Sequence, residues 1–179
     1  MIWGIDNNYN KTIILVYNFW ERDMRRRDRE IVDPNLIEKF IAGEKLLRIA
    51  FYDNGDIYIV PVNYGYIYEN DKFVFYFHGA SDGRKYKLSQ SNPMVGFEID
   101  GKYKLLENDA ACEFSAEFQS VIGSGRLKLL TDRQEKITGL NAVMKQVSGR
   151  DEWSYDRKMV DNAAVYKLEV HELTCKAKL

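Results

Sequence analysis

The sequence has few of the residues that build disulfide frameworks or metal centres. Its 179 residues include two cysteines and two histidines. Cys112 and Cys175 lie far apart and in no metal-ligand spacing, which argues against a disulfide scaffold and a zinc site. We therefore expect no metal, and the low cysteine content favours a cytoplasmic location.

The chain also lacks net charge and long apolar runs. Its 26 basic and 27 acidic residues give a net charge of −1, so no overall field attracts nucleic acid or an anionic membrane. The longest apolar run near the start, Ile13 to Tyr17, is too short to cross a membrane or form a signal peptide. We expect one soluble domain with neither partner.

Aromatic residues are plentiful, with twelve tyrosines and nine phenylalanines, and these residues favour strands. Strand after strand is predicted, with turns such as Asn54-Gly55 between them. The predicted strands are Leu46–Tyr52, Ile57–Tyr68, Phe73–Phe77, Met94–Ile99, Phe114–Leu130 and Ala164–Thr174. Because helices do not alternate with the strands, the pattern predicts a mainly β fold, a six-stranded antiparallel barrel with peripheral helices.

Two helices are predicted in the first half of the chain. Asp33 is a good N-cap ahead of Pro34, and Gly43 closes that helix. A second helix begins near Gly83, with Ser81 or Asp82 as its cap, and ends before Pro93.

A third helix follows the fifth strand. Thr131 and Gln134 form a capping box, and the helix ends at Ser148-Gly149. Its predicted apolar stripe consists of Ile137, Leu140, Met144 and Val147. Residues 150–162 are predicted to form a loop.

Two glycine-containing segments predict breaks in the later strands. Asp100-Gly101 is typical of a turn. Gly123-Ser124-Gly125 predicts a bulge or bend within its strand.

The first residues differ from the rest. Residues 1–23 are polar around Asp6 to Lys11 and are predicted to form an extension, with an ordered arm as the alternative. The domain is predicted to span residues 24–179. The four arginines between Met24 and Ile31 are interleaved with Asp28 and Glu30, as on a solvated surface.

The segment Lys72 to Lys85 carries the strongest sign of a ligand. A strand delivers His78 to its end, the chain breaks at Gly79, and Arg84 and Lys85 fall in the first turn of the next helix. The helix dipole disfavours cations there, whereas free backbone N–H groups favour an anion. The pair therefore predicts a bound phosphate. A solvated Arg-Lys pair is the alternative.

Pro61 interrupts the predicted second strand. Because proline cannot donate to a ladder, Pro61 predicts an edge, bulge or rim position. The backbone groups beside it are then free to contact a ligand.

Five segments occur in a recognisable order: Met24–Ile31, Tyr58–Gly65, Phe77–Ala80 with Gly83–Lys85, Asn92–Glu98 and Gln119–Arg126. Together they resemble the flavin-binding split barrels related to pyridoxamine 5'-phosphate oxidase, and most closely the 5-nitroimidazole resistance (Nim-type) proteins. The resemblance extends over residues 24–178.

The resemblance implies a homodimer of split barrels with FMN at each of two subunit interfaces. By this likeness one strand follows the flavin, two residues lie beside the ring, three hold the phosphate, and a later strand closes the site, with closure across the dimer as one arrangement. In that order, the residues are Pro61, Val62, Asn63 and Tyr64; Phe77 and His78; Gly83, Arg84 and Lys85; and Gln119, Ser120 and Val121.

The activity implied by the resemblance is FMN-dependent reduction of small electron-poor aromatics such as 5-nitroimidazoles, with His78 as the catalytic residue. His171 is interpreted as structural. One alternative is a flavin-binding or ligand-sensing module without catalysis. Another is a split-barrel oxidoreductase with a different substrate, or with haem or deazaflavin. Oxidation of pyridoxamine phosphate itself is not favoured, because Gly79 to Gly83 separates the strand from the cations and the oxidases' C-terminal segment is missing.

Overall fold

A computed structural model describes residues 26–151 and 153–179. The predicted extension over residues 1–23 lies outside the described residues. Within the described part, no helix is long and apolar enough to cross a membrane.

The described residues form a sheet of seven strands. Their bounds are β1 Glu30–Ile31, β2 Leu46–Asp53, β3 Asp56–Glu69, β4 Lys72–Gly79, β5 Met94–Leu106, β6 Ser115–Leu129 and β7 Ala164–Lys178. The same part of the chain contains four α-helices: α1 Pro34–Gly43, α2 Arg84–Ser89, α3 Arg133–Ser148 and α4 Arg157–Asn162.

The six long strands close into an antiparallel barrel. The strand order is β1-β7-β4-β3-β2-β5-β6, and β6 also pairs with β7. That pairing joins the two sides of the sheet, so the predicted six-stranded antiparallel barrel is confirmed. The two-residue β1, which pairs with Lys176 and Cys175 of β7, was not predicted because two residues carry no alternation signal.

Aromatic side chains fill the barrel. Tyr64, Phe75 and Phe77 are completely buried, and Tyr64 packs edge-on against Phe75. The Tyr64 hydroxyl donates to the carbonyl oxygen of Ile41 at 2.6 Å, which ties α1 to the barrel. A second cluster, which includes Tyr76 and Val165, lies between the barrel and α3.

The first helix follows its prediction and the second departs from it. Asp33 accepts from the backbone N–H of Asn35 at 2.9 Å and so caps α1. The N-cap of α2 is Gly83, so the predicted Ser81 or Asp82 cap is wrong. Gly83 has a φ of 91°, and Asp82 instead accepts from the Gly83 N–H at 2.6 Å.

The third helix has a different cap from the predicted one. Asp132 caps α3 by accepting from the Glu135 N–H at 3.0 Å, so the predicted Thr131–Gln134 capping box is wrong. An aspartate is an equally good cap one residue later. Gly149 ends the helix in the left-handed conformation, as predicted.

The buried face of α3 also differs from the predicted apolar stripe. The buried residues are Lys136, Gly139, Ala142, Val143 and Gln146, whereas Val147 is exposed. The reason is close packing on small residues: a Cβ on Gly65 of β3 would overlap the Ala142 backbone. Lys136 and Gln146 can be buried because backbone carbonyl groups accept their hydrogen bonds.

Two predicted interruptions are wrong, and at the third the bulge lies in the neighbouring strand. Asp100-Gly101 is no turn, since β5 continues to Leu106 with a register shift between Gly101 and Lys104. Gly101 stays paired with Gln119, and Lys102 and Tyr103 form a bulge opposite Phe118. The predicted loop over residues 150–162 contains α4, capped by Asp156. The register does shift at Gly123–Gly125, but the extra residue is His171 of β7, since Ser124 pairs with Glu172 and Gly125 with Val170.

Candidate functional site

The barrel is open along one edge of β3. The β3–β4 ladder ends at the pair Tyr64–Phe77, whereas β2 pairs with β3 over its whole first half, from Asp56 to Asn63. The edge of residues 56–63 that faces away from β2 therefore has no strand partner among residues 26–151 and 153–179. Pro61 lies in this part of the strand, as expected for an edge position.

Side chains of the predicted flavin-contacting strand alternate between the core and the outside. Val62 and Tyr64 are buried, whereas Pro61 and Asn63 are exposed. The Asn63 side chain donates to the Lys45 carbonyl oxygen at 3.1 Å. A ligand on this strand would therefore meet the backbone, Pro61 and Asn63.

Phe77 and His78 face opposite sides of β4. Phe77 is buried and stacks on Tyr166 with ring centroids 4.8 Å apart. His78 is exposed, and alternation places it on the same face as Tyr76, which packs toward α3. Desolvation and then the charge of Lys85 lower the pKa of His78, so its imidazole favours the neutral form.

Lys85 is a partly buried cation without a carboxylate partner among the described residues. Its Nζ lies 5.5 Å from the centroid of Phe77 and 5.2 Å from that of Tyr166. It also lies 3.5 Å from the His78 carbonyl oxygen, the outer limit of a hydrogen bond. Desolvation lowers the pKa of Lys85. An anion at this point would supply the missing counter-charge.

Arg84, next to Lys85, is held in place by a partner. Its Nε and Nη2 each lie 2.7 Å from Oδ2 of Asp53, and its guanidinium carbon lies 4.7 Å from the centroid of Tyr58. Sequence reasoning missed both Asp53 and Tyr58. The only available signal was their position on either side of the Asn54-Gly55 turn.

The third predicted segment, residues 119–121, lies far from His78 within the same chain. Gln119 pairs with Ala177 near the end of β7, whereas His78 pairs with Val165 near its start. The two positions are separated by roughly 40 Å of extended strand at about 3.3 Å per residue. Along the strand, the two predicted halves of the site therefore occupy opposite ends of the barrel.

The residues present fit a flavin in two respects. Oε1 of Gln119 is buried and has no hydrogen-bond partner in the described part of the chain, which is costly unless a further group donates to it. The open edge of β3 offers backbone groups of the kind that a flavin ring edge needs. Val121, in contrast, is completely buried, so only its backbone could take part.

An apolar surface connects the predicted segments. We define the outer sheet face as the outward side chains of β3, β2, β5 and β6 around a groove of about 740 Å³. It includes Ile57, Ile59, Pro61, Arg48, Ala50, Met94, Gly96, Glu98, Ile122 and Ser124. Ile59 is 59% exposed and Ile122 is 52% exposed, so exposed apolar side chains lie on this face beside Arg48 and Glu98, and no other described residue covers them.

A second cavity, of about 730 Å³, lies between α1, β3 and α3. Its polar groups already have partners: the Tyr66 hydroxyl donates to Glu38 at 3.1 Å, and Lys45 donates to the Gln146 carbonyl oxygen. No polar group of this cavity signals a missing ligand as Lys85 does. Nor does the described chain contain a group of histidine, cysteine and acidic residues suited to a metal.

A family model and several solved structures are similar to this chain. A family model described as pyridoxamine 5'-phosphate oxidase matches residues 33–177. No curated protein sequence matches the chain.

Solved structures share the fold. A candidate 5-nitroimidazole antibiotic resistance protein from Bacteroides thetaiotaomicron is 30% identical, with a TM-score of 0.70 over 83% of this chain and 86% of that one. The flavocytochrome Anf3 from Azotobacter vinelandii is 21% identical, with a TM-score of 0.72 over 87% of this chain and 72% of that one. An FAD- and haem-binding protein from Mycobacterium smegmatis is 13% identical, with a TM-score of 0.72 over 84% and 73%.

Proposed function

The chain belongs to the pyridoxamine 5'-phosphate oxidase family, and from that premise we propose that it binds FMN at the interface of a homodimer. We further propose that it uses the flavin to reduce small electron-poor aromatics such as 5-nitroimidazoles. The 30% identity to the Bacteroides thetaiotaomicron protein supports this choice of substrate class.

The observation that carries the proposal is the charge of Lys85, which has no carboxylate partner among the described residues. A partly desolvated cation without a counter-ion is unfavourable in the free protein. A phosphate monoester would supply that counter-ion, and Arg84 adds a planar donor group suited to phosphate oxygens.

Pro61, Val62, Asn63 and Tyr64 of β3 would hold the flavin ring. The backbone of Pro61, Val62 and Asn63 would offer hydrogen-bonding groups to the ring edge, because residues 56–63 have no partner on that side among the described residues. When bound, the flavin supplies the electron-transfer chemistry. The residues of the chain bind it, orient it and limit the access of water.

A second copy of the chain completes the site in this proposal. Pro61 and Asn63 point outward, and Ser120 alternates with buried Val121, so all three belong to the same outward side of the sheet. Packing two outer sheet faces about a two-fold axis would bring Ser120 of one chain toward β3 of the other.

Charge on the outer sheet face also favours a second copy. Arg48 contacts Glu98 at 3.0 Å and also contacts Asp100. Opposite charges lie side by side there, so an identical surface turned by a two-fold rotation is complementary to it.

His78 is the proposed catalytic residue. It lies at the end of β4, and its carbonyl oxygen lies beside Lys85. A neutral imidazole at this position could donate a hydrogen bond to a substrate oxygen as charge builds up there.

The test is single-turnover reoxidation. Protein loaded with FMN is reduced chemically without oxygen and mixed with a 5-nitroimidazole. Reoxidation that saturates with nitroimidazole concentration and exceeds the rate for free reduced FMN supports the enzyme. Bound flavin that reacts no faster than free flavin supports the alternative, a flavin-binding module without catalysis.

A further inference from the structure

The hairpin between β2 and β3 reaches Arg84 from two sides. Asp53, the last residue of β2, binds Nε and Nη2 of Arg84 through a single carboxylate oxygen. The guanidinium carbon of Arg84 lies over the Tyr58 ring, 4.7 Å from its centroid. Arg84 is thus held by two contacts, an ion pair with Asp53 and a cation–π contact with Tyr58.

This arrangement leaves one side of the guanidinium available. An arginine has five N–H donors, and no described residue accepts a hydrogen bond from Nη1. The Asp53 side chain is 20% exposed and that of Arg84 is 47% exposed, so the carboxylate is the more enclosed partner. The open side of the guanidinium therefore remains accessible to an anion in solvent.

We propose that Asp53 and Tyr58 position Arg84 for the terminal phosphate of the flavin, which makes Asp53 a determinant of selectivity for phosphorylated over unphosphorylated flavins. This inference rests on the proposed function. Asp53 does not touch the flavin in it and acts only through Arg84.

Asp53 has two opposing effects on phosphate binding. Their balance decides whether removal of its carboxylate weakens or strengthens that binding. Its charge repels a phosphate, but the phosphate would lie on the solvent side of Arg84, which is 47% exposed, and water there weakens the repulsion. Without Asp53, phosphate binding must restrict a long, flexible side chain, and arginine is among the side chains that lose most rotamer freedom. Preorganisation therefore outweighs repulsion, and removal of the carboxylate weakens phosphate binding.

The test compares FMN and riboflavin titrations of the wild type with those of three variants. Asp53→Asn removes the charge, Asp53→Glu restores it at a longer reach, and Asp56→Asn is a control on the same hairpin, with no ion pair to Arg84. We expect Asp53→Asn to weaken FMN binding roughly three- to tenfold and to leave riboflavin binding unchanged. Asp53→Glu should recover part of the loss, and Asp56→Asn should match the wild type.

A double-mutant cycle separates positioning from a general effect on the fold. In an Arg84→Ala background, Asp53→Asn should cause no further loss of FMN affinity. Unchanged or tighter FMN binding by Asp53→Asn in the wild-type background overturns this inference alone. An equal loss of FMN and riboflavin affinity also overturns it, because it indicates damage to the fold. A wild-type protein that binds neither flavin overturns the proposed function as well.

Discussion

Removal of both cations, Arg84→Ala with Lys85→Met, should greatly weaken FMN binding and leave the barrel folded. Lys85 has no carboxylate partner in the described chain, so its whole charge is available to a phosphate. Arg84 already shares its charge with Asp53. Methionine keeps most of the aliphatic length that crosses the rings of Phe77 and Tyr166, so packing should change little.

The size of the effect follows from the hydrogen bonds lost. A hydrogen bond to a charged group contributes about 1.5–3 kcal/mol. Because Arg84 is half exposed and already paired, we count one such contribution for the two residues together. At about 1.4 kcal/mol per decade, this corresponds to a loss of roughly 10- to 150-fold in FMN affinity.

The assay is fluorescence titration of FMN and of riboflavin, which lacks the phosphate. Riboflavin affinity should change less than about twofold, well under the ~1.4 kcal/mol of a decade. Lys87→Ala, on the same helix but with an exposed side chain, is the matched control and should bind both flavins like the wild type. Equal FMN affinity in the double variant and the wild type would refute the assignment of the phosphate to Arg84 and Lys85.

Four further predictions concern packing, assembly, catalysis and pH. Gly65→Ala should lower the free energy of unfolding by about 3 kcal/mol, because its Cβ would overlap the Ala142 backbone, whereas Gly43→Ala, with open space around it, should change it by less than about 1 kcal/mol in urea denaturation. Ile59→Asp on the outer sheet face should yield monomers in sedimentation, whereas Met159→Asp, on exposed α4, should not. His78→Asn should keep FMN affinity within a few-fold and slow single-turnover reoxidation by a 5-nitroimidazole roughly 10²-fold; an unchanged rate would exclude a catalytic role. Because the pKa of His78 is lowered in the folded state, the unfolded chain binds the proton more tightly, so unfolding free energy should decrease as pH falls below about 6.5, and less so in His78→Asn.

The barrel itself was predictable because its signals are local and repeated. The Asn54-Gly55 turn, the aromatic strands and the break at Gly123–Gly125 each specify a piece of the sheet, and strands joined by short turns can only pair antiparallel. The helix caps were less predictable. Thr131 and Asp132 are both good caps, and tertiary packing of α3 on β3 chose between them.

The candidate site was predictable only in part, for a physical reason. The sequence shows Arg84 and Lys85 as cations in the first turn of a helix, where the helix dipole disfavours them. The residues that contact them come from other elements. Asp53 is 31 residues before Arg84, and Tyr166 is on the last strand. No local pattern reports such contacts. The buried face of α3 was missed for a similar reason, since Lys136 and Gln146 are buried through carbonyl groups contributed by other segments.

Sedimentation of the FMN-loaded protein, followed at the same time by protein absorbance and by flavin absorbance, tests directly whether FMN binds at a dimer interface. We expect flavin to sediment only with the dimer, at one FMN per chain, and Ile59→Asp to lose its flavin as it becomes monomeric. FMN that stays bound to a folded monomer would exclude an interfacial site, and a stable dimer that binds no flavin would exclude the proposed flavin function.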